Sequence, residues 1–458
     1  MGQRKDIDCT VQRLTEGPKH HLFGFHDLQI SNKADTKYLC LEVDTMNRPP
    51  LPGELFGVGY VEEGHFVKVG ETTALNYPQG ARQQWVADTD CFTVNNREED
   101  VWGTDLYDAT TNKLLDRFPA TTHMLSKDGK LAYGLDYARL YRLGGYGYTG
   151  LADVNENDPT PSHAGITVMD MQTKEVKLLV SVRQVAECGA NGKVSKIGHH
   201  YLTHLCVSPD SSRIAFLHRY PLADGGECTR LMTVGADGSN LRCLGQGFLS
   251  HFDWMDNNHI YIFGRVNGSL ESFRNNPILA NPIVATSLRL AKKAVKSIIG
   301  KNKSLAASSN SFLMFEDKED AVAISFAKDI IPVDGHPMTN PVYKDWCIND
   351  TYPDNEGYRD LMLYNFLRDE RINLGRFRMI FDKPDMQLVN EFFKGVEPTR
   401  IRNVEDMAFY RSGLHCDLHP RWNSKGDIVC FDSIHEGSRQ LYAIDVRKII
   451  NEDYLYES

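Results

Sequence analysis

Short apolar stretches separated by polar turns recur along almost the whole chain. Seven segments share one pattern, in which an apolar strand leads through a turn rich in Ser, Asn, Asp, Pro or Gly into a second apolar strand. They read LQISNKADTKYLCLE, QWVADTDCFTVNN, HMLSKDGKLAYGLD, LCVSPDSSRIAFLH, FDWMDNNHIYIFG, HPMTNPVYKDWCIND and HPRWNSKGDIVCFDS. Apolar runs of this length, bounded by turn residues, predict β-hairpins.

A second hairpin with its own polar turn follows each of these segments, as in GYVEEGHFVKV and LMTVGADGSNLRCL. Two consecutive hairpins can form a four-stranded sheet, and seven such sheets arranged radially form a β-propeller, which leaves only short, protected sheet edges. The pattern therefore predicts an all-β fold, a seven-bladed β-propeller of four-stranded blades, with residues 1–458 as a single domain.

One segment, NPIVATSLRLAKKAVKSIIGKNKS, departs from the strand pattern. Its apolar residues recur at helical spacing, Asn281 can cap the first turn, Pro282 suits that turn and Gly300 suits the end. We predict an amphipathic helix near 282–299, in a helical insertion at 281–305 within blade five. This helix either packs against the propeller or offers a basic face to an anionic membrane or a protein partner.

Composition narrows the classes of function. The formal net charge is −10 with no block of like charges, and binding to nucleic-acid phosphates requires a basic face, so we expect no nucleic-acid partner. The N-terminus lacks the apolar core of a signal peptide, and no apolar run is long enough to span a membrane, so we expect a cytoplasmic protein. The ten cysteines are scattered, many within apolar strands, and indicate reduced thiols rather than a disulfide framework.

Histidine recurs at one phase of the repeated hairpin, a few residues before the turn. Only 16 of the 458 residues are histidine, yet five of the hairpins carry one at or within one residue of this phase: His123, His204, His251, His336 and His419. In a propeller the inner strands begin at the central funnel. Equivalent positions on different blades therefore converge, and we expect these imidazoles to meet at one mouth.

Three of these imidazoles belong to consecutive blades: His251, His336 and His419. Three imidazoles and one thiolate make a tetrahedral zinc site, and Cys416 offers the nearest thiol, with Asp417 or His415 as alternative fourth ligands. We predict a bound divalent metal, preferably zinc, with manganese or calcium as alternatives. The same histidines could instead hydrogen bond to the backbone of neighbouring blades.

A second group of residues suggests acid–base chemistry. Arg219 lies one strand beyond His204, with His123 on the neighbouring blade and the tyrosine-rich loop DYARLYRLGGYGYTG close by. β-Elimination on a uronic acid needs a cation that neutralises the carboxylate and a His or Tyr that removes the adjacent proton. A planar guanidinium suits a carboxylate better than an ammonium does. Arg219 could alternatively form a structural ion pair.

Several of these motifs together resemble a known family. The segments FGFHDLQISNKADTKYLCLEVDTMNRPP, DYARLYRLGGYGYTGL, LTHLCVSPDSSRIAFLHRY, SHFDW, DGHP with NDTYPD, and CDLHPRWNSKGDIVCFDSIHEGSRQLYAIDV resemble seven-bladed propeller polysaccharide lyases of the ulvan lyase kind, and more distantly oligogalacturonate lyases. The resemblance implies cleavage of uronate-containing glycans by β-elimination, with histidine and tyrosine acid–base groups, an arginine that neutralises the carboxylate and a bound metal.

Carried over by position, the resemblance makes His123 the first catalytic histidine and Arg219 the neutraliser, and it places Tyr201 or His204 near the catalytic tyrosine. Where the family has its second histidine, this chain has Tyr141. The expected partner is an acidic oligosaccharide or polysaccharide that serves as the substrate of a lyase. The alternative is a non-catalytic propeller that binds a glycan or a protein partner, in a role such as surface-polysaccharide synthesis.

Overall fold

The repeated hairpins form antiparallel strands in the computed structural model, which describes residues 3–189, 198–223, 226–266, 310–380 and 404–451. Two short strands come first in the chain: β1 (Gln3–Asp6) and β2 (Val11–Arg13). Their partners belong to the last two sheets of the chain.

Three four-stranded antiparallel sheets follow in chain order. The first contains β3 (His20–Leu22), β4 (Lys37–Val43), β5 (Phe56–Glu62) and β6 (His65–Thr72). The second contains β7 (Gln84–Trp85), β8 (Cys91–Glu98), β9 (Val101–Asp108) and β10 (Lys113–Phe118). The third contains β11 (Met124–Leu125), β12 (Leu131–Gly134), β13 (Gly165–Asp170) and β14 (Val176–Ser181).

The fourth sheet has seven strands because one long strand is shared. It contains β15 (Tyr201–Val207), β16 (Arg213–Pro221), β17 (Glu227–Gly235), β18 (Arg242–Trp254), β19 (His259–Val266), β20 (Ser311–Glu316) and β21 (Ile324–Phe326). β18 pairs with β17 through its first half and with β19 through its second half. Two runs of four strands therefore meet in β18.

The last two sheets recruit the N-terminal strands. The fifth contains β22 (Met338–Thr339), β23 (Trp346–Asp350), β24 (Tyr358–Asn365) and β25 (Glu370–Arg378), with β1 parallel to β25. The sixth contains β26 (Arg421–Trp422), β27 (Ile428–Ser433) and β28 (Gln440–Asp445), with β2 antiparallel to β28. The beginning of the described chain is thus paired with its end.

The described residues include four helices: α1 (Tyr137–Leu143), α2 (Val182–Glu187) and α3 (Val404–Arg411), which lie between strands, and α4 (Arg447–Ile450), which follows β28. Asp136 caps α1 by accepting a hydrogen bond from the backbone N–H of Arg139, and Ser181 caps α2 through a capping box with Gln184. No helix in the described ranges has the length and apolar character needed to cross a membrane.

The predicted all-β class is confirmed by these sheets, whose central strands are buried on both faces; Leu39, Cys40 and Leu41, for example, are fully buried. Six sheets are present in the described residues. The count of seven blades and the single domain stay predictions. The predicted helix near 282–299 and its insertion at 281–305 lie outside the described residues.

A tryptophan beside the turn joins successive repeats in three places. The indole N–H donates to a backbone carbonyl of the preceding repeat, from Trp85 to Ile30 at 3.0 Å, from Trp254 to Cys206 at 3.1 Å and from Trp422 to Met338 at 3.1 Å. All three tryptophans are buried. A large ring and one directed hydrogen bond thus fix neighbouring hairpins against each other.

Replacing Trp254 by Phe should lower the free energy of unfolding by about 1–3 kcal/mol, because the buried carbonyl of Cys206 loses its donor. Trp102→Phe is the matched control, since the buried indole N–H of Trp102 has no hydrogen-bond partner among the described residues. Urea unfolding followed by circular dichroism measures both. An equal loss in the two variants would contradict a role for the interrepeat hydrogen bond.

Candidate functional site

A cavity of about 630 Å³ lies where the histidine-bearing segments meet. This volume falls in the range of small-ligand sites. Four imidazoles line it: His251, His336, His415 and His419. Three guanidinium groups line it as well: Arg219, Arg265 and Arg411. The remaining wall includes the aromatic rings of Phe25, Tyr146, Phe248, Tyr352 and Tyr410.

The backbone is irregular at three of the histidines that converge near the cavity: His204, His251 and His419. Register shifts place His204 and His251 within bulges of β15 and β18, which re-aim the side chains of a strand. His204 and His419 have φ angles of +55° and +42°, in a region that non-glycine residues rarely adopt. The ring of Phe25 lies at the centre, between 4.9 and 6.1 Å from the rings of His204, His251, His336 and His419. The predicted convergence of these four imidazoles is therefore present.

A cluster of imidazoles and one carboxylate forms part of the cavity wall. The Oδ2 atom of Asp417 is 4.0 Å from Nε2 of His336, 3.8 Å from Nε2 of His419 and 3.5 Å from Nε2 of His415. Ligand atoms of His336, Asp417 and His419 all lie within 4.8 Å of one another. Nitrogen and oxygen donors so arranged could hold a divalent metal.

The buried carboxylate of Asp350 orients two of these imidazoles. Its Oδ1 atom accepts from Nδ1 of His336 at 2.7 Å and from the backbone N–H of His336 at 2.8 Å, and its Oδ2 atom accepts from the backbone N–H of His419 at 3.2 Å. Nδ1 of His419 donates to the carbonyl of Gly24 at 2.8 Å. Because both Nδ1 atoms face acceptors, both Nε2 atoms keep their lone pairs for the cavity.

Arg359 holds the other oxygen of the shared carboxylate. Its Nη1 atom is 2.6 Å from Oδ1 of Asp417 and donates to the carbonyl of Thr351 at 3.2 Å. Burial alone would raise the pKa of Asp417, but Arg359 and the neighbouring imidazoles lower that pKa well below its usual range. Asp417 is therefore a carboxylate with one oxygen bound to arginine and the other directed at the imidazoles.

His251 has different partners. Its Nδ1 atom is 3.3 Å from Oδ1 of Asp334 and 3.1 Å from the hydroxyl of Ser250. Burial lowers the pKa of His251, with a further decrease from His336 that Asp334 opposes. Neutral at pH 7, and with Nδ1 directed at a carboxylate, His251 has an Nε2 lone pair that can accept a proton.

Arg219 lies on another side of the cavity, opposite Tyr201 in the ladder between β15 and β16. Its Nε atom is 3.8 Å from Oε1 of Glu227, and the Tyr201 hydroxyl donates to Oε2 of Glu227 at 2.8 Å. Burial lowers the pKa of Arg219, but Tyr201, Glu227 and Tyr146 outweigh it and raise that pKa. Burial and Glu227 raise the pKa of Tyr201 well above its usual value, so its hydroxyl stays protonated.

Four of the nine site residues predicted from the sequence line the cavity: Arg219, His251, His336 and His419. The described lining does not include the other five: His123, Tyr141, Tyr201, His204 and Cys416. Tyr201 and His204 lie directly behind the wall, since Tyr201 binds Glu227 and the ring of His204 is 5.2 Å from that of Tyr146.

His123, Tyr141 and Cys416 have structural partners. His123 is fully buried, with Nδ1 2.8 Å from the hydroxyl of Tyr137. Tyr141 lies 4.6 Å beneath the guanidinium of Arg411. The thiol of Cys416 donates to the carbonyl of Asp417, and burial raises its pKa to about 12. The structure thus brings Asp417, rather than the Cys416 thiol, next to His336 and His419.

Sequence reasoning gave no role to four charged residues that contact Arg219, His251, His336 or Asp417: Glu227, Asp334, Asp350 and Arg359. For one of them, Asp350, the sequence pattern could have predicted the contact with His336. In the hairpin HPMTNPVYKDWCIND, Met338 pairs with Ile348, so Asp350 falls opposite His336 when that register is extended by two residues. For the other three we find no comparable signal in the sequence.

No family model matches the chain, and no curated protein matches it. Among the solved structures that match, two have a TM-score of 0.55 and 13% identity over 97% of this chain. The chain is similar in fold to oligogalacturonate lyases. One of these enzymes is from Vibrio parahaemolyticus, with 95% of its chain covered, and the other was solved in complex with manganese, with 98% covered. The distant oligogalacturonate lyase resemblance is confirmed as a likeness of fold, and the ulvan lyase resemblance stays a prediction.

Replacing Arg359 by Met should lower the free energy of unfolding by about 3–5 kcal/mol in metal-free buffer, because the buried carboxylate of Asp417 loses its countercharge. The double variant with Asp417→Asn should lose less than the single variant. Lys177→Met, which removes an exposed ion pair with Glu175, is the control and should change stability by about 1 kcal/mol or less. Urea unfolding would refute the interpretation if Arg359→Met behaved like this control.

Proposed function

We propose that this protein is a lyase that cleaves uronic-acid-containing oligosaccharides or polysaccharides by β-elimination. The observation that carries the proposal is that Arg219 and the carboxylate-oriented imidazole of His251 line one cavity. The fold shared with oligogalacturonate lyases supports it. We also propose that the seven-stranded sheet comprises two blades that share β18, so that the six sheets form the seven blades of a propeller.

The proposed chemistry assigns one task to each group. Arg219 pairs with the uronate carboxylate and thereby stabilises the negative charge that develops when the neighbouring C5 proton leaves. Nε2 of His251 takes that proton, the bond between C4 and its glycosidic oxygen breaks, and a double bond forms between C4 and C5. Tyr146, which lines the cavity and neighbours Arg219, protonates the departing oxygen.

The other residues proposed as catalytic from the sequence then support these three groups. Tyr201 holds Glu227 beside Arg219, and the ring of His204 packs against Tyr146. Tyr141 packs beneath Arg411 and His123 beside Tyr137. In this assignment Tyr201, His204, Tyr141 and His123 hold neighbouring side chains in place and do not contact the substrate.

We propose that His336, Asp417 and His419 hold a divalent metal. The donors fit one, because both imidazoles present Nε2 and the carboxylate presents one oxygen. His415 faces the same oxygen and is the proposed fourth ligand, in preference to the protonated thiol of Cys416. His251, which the sequence predicted as a third imidazole ligand, is assigned to proton transfer instead. Imidazole and carboxylate suit manganese and zinc, and the manganese complex of an oligogalacturonate lyase supports the former. A bound metal would supply positive charge for an acidic substrate.

Metal binding should be stoichiometric and should depend on the proposed ligands. After incubation with Mn²⁺ or Zn²⁺ and desalting, elemental analysis should find about one ion per wild-type chain and a strongly reduced content in His336→Ala and His419→Ala. His259→Ala is the control, since His259 pairs with Asp256 at an exposed turn. Wild-type protein without metal, or variants with undiminished content, would refute the site.

Cleavage should release an unsaturated uronate that absorbs in the ultraviolet. With polygalacturonate and ulvan as first substrates, Arg219→Ala should lower kcat on the order of a hundredfold or more. Arg219→Lys should recover part of this loss, because the ammonium keeps the charge without the planar fork. His251→Gln should also be strongly impaired, whereas Arg117→Ala on the surface should match the wild type.

Wild-type turnover in both Arg219→Ala and His251→Gln, on a substrate that the wild type cleaves, would show that the reaction uses other groups. Binding of acidic glycans in the cavity without any cleavage would favour the non-catalytic glycan-binding propeller.

A further inference from the structure

The proposed carboxylate-binding arginine already faces a carboxylate of its own chain. Oε1 of Glu227 is 3.8 Å from Nε of Arg219, and both side chains line the cavity. The Arg219 side chain is only 12% exposed, yet its Nε has no hydrogen-bond partner among the described residues. A carboxylate is thus near the guanidinium but does not satisfy it.

The ladder explains how Glu227 is held there. Arg219 lies opposite Tyr201 on one side and Thr229 on the other, and Glu227 begins β17 two residues before Thr229. The Tyr201 hydroxyl donates to Oε2 of Glu227 at 2.8 Å. One carboxylate oxygen is therefore held by tyrosine while the other is directed toward the arginine.

This pair differs from the structural arginine pairs of the same protein. Arg82 holds Asp27 with two hydrogen bonds of 2.8 and 3.1 Å, and its side chain is fully buried. The Arg219–Glu227 contact is longer, and Glu227 is 32% exposed to the cavity. The Arg82–Asp27 pair is hydrogen bonded and buried, as expected of a structural ion pair. The Arg219–Glu227 pair, in contrast, is accessible from the cavity, where a ligand would enter.

We propose that Glu227 is a specificity-determining residue whose carboxylate stands in for a ligand carboxylate at Arg219 in the free protein. A ligand must compete with this internal anion. A single acidic sugar has little beyond its carboxylate to offer, whereas an acidic chain adds contacts to the aromatic and cationic walls of the cavity. Glu227 therefore favours oligomers over single uronic acids. The inference rests on the proposed function, because it takes Arg219 as the carboxylate site.

The test compares galacturonate with trigalacturonate as probes, titrated calorimetrically into wild type and Glu227→Gln. Glutamine keeps the size of the side chain and an acceptor for Tyr201 but removes the charge about 4 Å from Arg219. Glu227→Gln should bind galacturonate about tenfold more tightly or better. Its preference for the trimer over the monomer should shrink, and Arg219→Gln in the same background should abolish the gain.

Glu436→Gln is the matched control. Glu436 likewise accepts a hydrogen bond from a tyrosine hydroxyl, that of Tyr442 at 2.9 Å, and pairs with an arginine, Arg13 at 3.1 Å, but it does not belong to the described cavity lining. This variant should bind both sugars as the wild type does. Melting temperatures establish that each variant is folded, and Glu227→Ala replaces Glu227→Gln if the latter is not.

Unchanged galacturonate affinity in a folded Glu227 variant would overturn the inference while leaving the lyase proposal intact, provided that the wild type cleaves or binds the trimer. A gain that persists after Arg219→Gln would also overturn it, because the charge would then act elsewhere. If neither sugar binds to the wild type or to the variants, the inference is wrong, and the proposed function is wrong with it only if the wild type also cleaves neither polygalacturonate nor ulvan.

Discussion

One buried carboxylate, that of Asp350, determines the geometry of the candidate site. It is fully buried and accepts hydrogen bonds from the ring and backbone of His336 and from the backbone of His419, and so it joins the segments that lead into the fifth and sixth sheets. A buried charge is stable only when donors surround it, and here the donors belong to the residues whose Nε2 atoms must converge. The requirement to satisfy Asp350 therefore also orients the imidazoles around Asp417.

The repeat predicted much of this arrangement, because hairpins of one type place equivalent residues at equivalent points. His251, His336 and His419 meet for that reason. The position of a residue within a repeat does not predict how deeply its side chain is buried. It therefore could not show that His123 is fully buried and absent from the described cavity lining.

The choice between Cys416 and Asp417 as a metal ligand could have been made from the sequence. In an extended segment side chains two residues apart share a face, so the spacing of His415, Asp417 and His419 favours Asp417 over Cys416. The contact of His251 with Asp334 joins residues far apart in the sequence, and that of Arg219 with Glu227 depends on the register of β16 and β17, so both needed the tertiary structure.

The net charge of the whole chain differs from that of the side chains that line the cavity. The protein has a formal net charge of −10, yet three arginines line the cavity, and Arg359 lies just behind it against Asp417. A concave site with low-dielectric walls concentrates the field of the charges that line it. Three carboxylates, those of Glu227, Asp334 and Asp417, line the same cavity, so its formal charge is balanced while that of the whole chain is strongly negative.

The pairing of β2 with β28 also has a consequence for how the protein folds. Val11 lies beside Ile444 in that ladder, so the sixth sheet is complete only when two segments far apart in the sequence meet. Contacts between residues so distant in sequence carry a high entropic cost of loop closure and form slowly. During synthesis β2 must remain unpaired until β28 has been made, and during this interval its exposed backbone edge is open to pairing with other chains.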